Sequence, residues 1–99
     1  MATSIVAGIF AIGQKDVASA GTAVALDSAR RVDSVVIIAK VANTGKIFYG
    51  GSDVASATQA GLAAGESISL GTLKPFDLAD IFIDSSVNGE GADFVASLI

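Results

Sequence analysis

The chain has 99 residues, 52% of them hydrophobic and 16% charged, with a formal net charge of −4. That length gives one domain and one modest core, and the apolar fraction is too high for a disordered chain. There is no Cys and no His, which excludes disulfides, a zinc site, a thiol nucleophile and a Ser-His-Asp triad. The acidic balance argues against nucleic acid as a partner.

The apolar residues are of an unusual kind. There are 18 Ala, 11 Gly, 10 Val and 10 Ile, against five Phe, one Tyr and no Trp. Small and β-branched side chains suit a pleated sheet better than a helix. They also bury little area each, at about 25 cal/mol per Å2. A small domain with such a core gains from association with copies of itself or with a partner.

In chain order, Ser4–Gly13 is apolar on both faces and is broken by Gly8, which predicts a strand or an extended arm. It lacks the preceding basic residues of a secretory leader, since the first basic residue is Lys15. No apolar run is long enough for a membrane-spanning helix. Lys15–Gly21 reads as a loop, Thr22–Leu26 as a short strand and Asp27–Arg31 as a turn. The run Val35–Ile38, extended by Ala39 and Val41, predicts a central strand that is apolar on both faces. Asn43-Thr44-Gly45 is a turn signal, and with Lys46–Tyr49 after it the pair reads as a β-hairpin. Ser52–Ala64 reads as a loop with room for one helical turn. Ser67–Leu70 reads as a strand, and Pro75 limits Gly71–Leu78 to a loop or a sheet edge. Asp80–Asp84 is a short strand with Ile81 and Ile83 inward. Asn88–Gly91 is a second turn, and Asp93–Ile99 is a last strand with Phe94, Ala96 and Leu98 on one face. No internal repeat is visible.

About seven strands between Gly and Asn turns predict an all-β fold, a small antiparallel β-sandwich or jelly roll. Residues 1–13 are the expected N-terminal arm or strand, and residues 14–99 the expected β-sandwich domain. Ile5, Ile9 and Phe10 are the apolar residues of that first segment most in need of cover, from the domain's own sheet or from a neighbouring subunit. On this reading, removing residues 1–13 leaves a folded core.

Candidate chemistry is sparse. Asp77, Asp80 and Asp84 suggest a cation site only weakly, because Asp80 and Asp84 flank a strand and match no calcium-loop spacing. Gly50-Gly51-Ser52-Asp53 lacks the lysine and the spacing of a phosphate loop. Arg30-Arg31 is the one basic pair, too little charge for nucleic acid, and is a candidate partner contact through a salt bridge. The first fifty residues carry five basic against three acidic residues, and the remainder one against seven. That split would favour head-to-tail association of copies, although a solvated acidic surface is the plainer reading.

Residues 31–85 carry a further pattern. Ile37 and Ala39 lead to Asn43-Thr44-Gly45, then an aromatic segment Tyr49–Val54, Leu62–Ile68 with its Gly65-Glu66-Ser67, and the late strand Asp77–Ile83. In this the chain resembles small virion structural proteins of tailed bacteriophages, of the capsid decoration (cement) or head-fibre type. The resemblance implies a β-sandwich on the capsid surface that binds the major capsid protein and bridges its subunits. The residues agree with it, offering no expected catalytic group, cofactor, metal site or membrane segment. The resemblance also implies homo-oligomers, a trimer first, because such proteins often sit at local three-fold axes. The alternative it leaves open is a tail or head-fibre component that binds a host-surface carbohydrate, for which Tyr49 is the only Tyr and no Trp is present. Two departures affect the contact surface: Tyr49-Gly50-Gly51 replaces the usual aromatic-valine step, and the middle loop is rich in Ala.

Overall fold

A computed structural model describes residues 10–55 and 59–99. Among the described residues, seven strands form in chain order: β1 (Phe10–Asp16), β2 (Val24–Ala25), β3 (Arg31–Ala39), β4 (Ile47–Gly50), β5 (Ser67–Asp77), β6 (Phe82–Ser85) and β7 (Gly91–Leu98). A 3-10 turn, Leu78–Asp80, joins β5 to β6.

Every strand lies in the other sheet from the strand before it. One sheet has the order β1-β7-β3-β5 and the other β2-β6-β4, with antiparallel pairing throughout. Leu62 adds a single antiparallel bridge to Ile47 beyond β4. With Leu62 counted as a vestigial strand, this is the strand order of a jelly roll. In that fold strands one, eight, three and six face strands two, seven, four and five. The expected β-sandwich is therefore present, in its jelly-roll form.

The hairpin expected around Asn43-Thr44-Gly45 does not form. β3 and β4 belong to different sheets, so those residues turn the chain from one sheet to the other. Lys15 and Asp16, expected in a loop, continue β1 against Ala92 and Gly91 of β7. The Pro75 reading holds: β5 is an edge strand, and its register with β3 jumps between Gly71 and Phe76.

The core lies between the sheets and is built by alternation. From β3, Val32, Val35, Ile37 and Ala39 face inward and are buried. Val32 and Val35 are three apart, which regular period-two pleating would place on opposite faces. Against β7, the two steps from Val32 to Ser34 face the single step from Leu98 to Ser97, so Asp33 is one extra residue, a bulge that returns both valines to the core. Phe94 and Ala96 from β7 join them, with Ile47 and Ile83 from the opposite sheet and Leu26, Leu78 and Ile81 from the connections. Gly13 on β1 leaves room for the Phe94 ring, since a Cβ there would lie 2.7 Å from Phe94 Cζ.

Candidate interaction face

The two sheets treat their outer faces differently. On the three-stranded sheet, Phe48 and Asp84 sit opposite each other on β4 and β6 and point away from the core. Yet they are only 4% and 2% exposed. Connecting segments cover them. Gly21 N donates to Asp84 Oδ1 at 2.9 Å, and Gly61, at φ +81°, lies so close that a Cβ would meet the Phe48 ring at 2.7 Å.

Among the described residues, no segment covers the outer face of the four-stranded sheet. Register sets its rows. Ile12, Val95 and Val36 form one row ending in Ser69. Phe10, Ser97, Ser34 and Gly71 form the row on one side of it, and Gln14, Asp93, Ile38 and Ser67 the row on the other. Ile12 is 78% exposed, Phe10 49% and Val95 38%, while Val36 and Ile38 are half-buried. A contiguous apolar strip thus crosses three strands within a polar surround, the pattern expected of a contact surface. A concavity of about 300 Å3 opens at the β1 end of this strip, bounded by Ile12, Gly13, Gln14, Asp93, Phe94 and Val95.

Of the residues singled out from sequence, Phe10 belongs to this face. Ile5 and Ile9 lie outside the described residues. Arg30 and Arg31 are exposed at the start of β3. Arg30 Nε lies 3.7 Å from Asp27 Oδ2, and Arg31 is the register partner of Asp77. The Arg31–Asp77 register sets one basic residue of the first half opposite an acidic residue of the second.

Ile12, Val95, Val36 and Ile38 were not singled out from sequence as contact residues. Their signal was ambiguous, because a β-branched run reads as buried on both faces. Only the register shows which alternate residues remain outside.

The carboxylates have structural duties. Asp77 Oδ1 accepts from Arg30 N at 3.0 Å and from Ala79 N at 2.9 Å, capping the 3-10 turn. Asp84 accepts from Gly21 N and Ser85 N. Glu90 clamps the turn after β3, accepting from Thr44 N at 2.7 Å, Thr44 Oγ1 at 2.8 Å and Gly45 N at 2.9 Å. The Thr44 backbone N–H, and then that of Gly45, hold the Glu90 carboxyl below the usual glutamate range. Among the described residues, no three acidic side chains converge as a metal site would require. Tyr49 is half-buried against the core and does not stand out as a platform for a sugar ring.

A scan against family models, a search of curated proteins and a search of solved structures each return no match to this chain.

Proposed function

We propose that the protein is a virion structural protein of a tailed bacteriophage that decorates the outer capsid surface. In this reading it is not an enzyme and takes no cofactor. It binds across joints between major capsid subunits and strengthens the shell by burying apolar surface there. The observation that carries the reading is the strip of Phe10, Ile12, Val95, Val36 and Ile38, which no other described residue covers, on one face of a jelly roll. Burying it against a shell is favourable at about 25 cal/mol per Å2. The motif resemblance of residues 31–85 and a chain free of Cys and His support the same role. Ile5, Ile9, Arg30 and Arg31 enter the proposal as secondary contacts, on sequence grounds. No observation favours the carbohydrate-binding alternative, given where Tyr49 lies.

The test is co-sedimentation with shells assembled from the major capsid protein of the same virus. The chain is expected to travel with the shells. Val95→Lys, which places a charge in the middle of the strip at a partly exposed position, is expected to lower its occupancy about tenfold or more at unchanged thermal stability. A chain that stays at the top of the gradient contradicts the proposal. So does a Val95→Lys variant that binds as well as the parent.

Removal of residues 1–13 is not a clean test of the N-terminal segment, because Ala11 is a buried core residue and Phe10–Gly13 are paired with β7. The cut belongs before Phe10.

A further inference from the structure

We infer that β1 pairs with β1 of a second copy of this chain, antiparallel and about a two-fold axis at Ile12, joining the two four-stranded sheets into one. The inference rests on the edges and rows of the sheet and stands independently of the capsid reading.

Sheet edges expose unpaired backbone groups and are normally blunted. Three of the four edges here are. β2 is two residues long. The open side of β4 is taken by the Leu62 bridge, in which Leu62 and Ile47 exchange both backbone hydrogen bonds, and by the Gln59 side chain, whose amide accepts from Tyr49 N and donates to Tyr49 O at 2.9 Å each. β5 carries Pro75 and a broken register. β1 is neither short, nor capped, nor broken, and its charges, Lys15 and Asp16, are confined to its C-terminal end. It runs for seven residues in unbroken register with β7, contains no Pro, and among the described residues has no neighbour on its other side.

The backbone phase is also defined. Val17 N donates to Glu90 O, and Val17 O accepts from Gly89 N. Alternation then turns Ala11, Gly13 and Lys15 toward β7 and leaves Phe10, Ile12, Gln14 and Asp16 with N–H and C=O aimed at the open edge. Ile12 is therefore at a position where two copies exchange both hydrogen bonds across a two-fold axis.

The second copy is the occupant because the surface is complementary to itself there. The row Val36, Val95, Ile12 is apolar up to the edge. The two-fold at Ile12 places it against its own image, giving an apolar row that runs unbroken across six strands. Phe10 meets Gln14 of the second copy. On the inner face the centre of the seam consists of Ala11 and Gly13, which leave no large side chain unpacked beside the axis, and Lys15 lies on the same face toward the end of β1. Such an isologous contact closes at two copies.

Sedimentation of the full chain tests this, with Ile12→Lys as the disrupting variant. Ile12 is largely exposed, so the substitution spares the core. The parent is expected to sediment as two chains, and Ile12→Lys is expected to weaken association about tenfold or more. The chain has no native Cys, so Ile12→Cys reads the geometry directly. Hydrogen-bonded antiparallel partners lie about 5.5 Å apart at Cα, within disulfide reach. Mild oxidation is expected to yield a covalent dimer of Ile12→Cys and none of Val41→Cys, an exposed control elsewhere on the surface. A parent that sediments as one chain or as three overturns the inference. So does a dimer indifferent to Ile12→Lys, or an Ile12→Cys variant that fails to cross-link.

Discussion

At the scale of single residues, buried and half-buried carboxylates act as backbone anchors. Asp84 is the clearest case, since it is buried on the outer side of β6 and holds Gly21, whose φ is +94°. Asp84→Ala would leave two N–H groups without their acceptor and is expected to cost about 1–3 kcal/mol in urea unfolding. Asp84→Asn keeps an acceptor and should cost less. An unchanged midpoint for Asp84→Ala would refute the anchor role. Glu90 makes a different, pH-dependent prediction. Its folded-state pKa is lowered from 4.5 by the Thr44 and Gly45 N–H groups. Its contribution is therefore fully present above the unfolded-state value and is lost as pH falls through the folded-state value. Melting temperature followed from neutral to acid should decline less steeply for Glu90→Gln than for the parent. Parallel curves would show that the clamp does not couple to protonation. Neither anchor was legible in the sequence, where Asp84 appeared as a strand boundary and a weak cation candidate and Glu90 only within a turn.

At the scale of elements, the strands were legible and their partners were not. Val35–Ile38, Ile81–Ile83 and Phe94–Ala96 announce strands through composition and alternation, and all three segments contribute to β3, β6 or β7 and its approach. The turn at Asn43-Thr44-Gly45 was legible too, but local turn chemistry does not say whether the chain returns to the same sheet. Here it crosses, as every connection does in this topology. The Asp33 bulge was hidden for a related reason: Val32 and Val35 look out of phase until the extra residue is seen. Gln59 is a further element-level device, a side chain that takes the place of a strand beside Tyr49. Gln59→Ala is expected to destabilise the fold by about 1–2 kcal/mol and to raise hydrogen exchange at the Tyr49 amide. Unchanged exchange there would show that the edge does not depend on the amide.

At the scale of the whole molecule, the asymmetry of the two sheets sets the account. The three-stranded sheet is covered by its own connections, whereas the four-stranded sheet presents an apolar strip to solvent. Composition pointed to a small β-rich domain, and the two sheets bear that out. It pointed to the first thirteen residues for a contact, while the proposed contact face draws on β1, β3 and β7 together. That face could not be found from sequence because it exists only once three distant segments are aligned. Within one copy, folding already sets Arg31 of the basic half beside Asp77 of the acidic half. The most direct measurement is the number of copies per virus particle, from quantitative staining of purified particles against the major capsid band. A shell decoration protein predicts a fixed, near-stoichiometric ratio to the capsid subunit. A few copies per particle, or none, would contradict it.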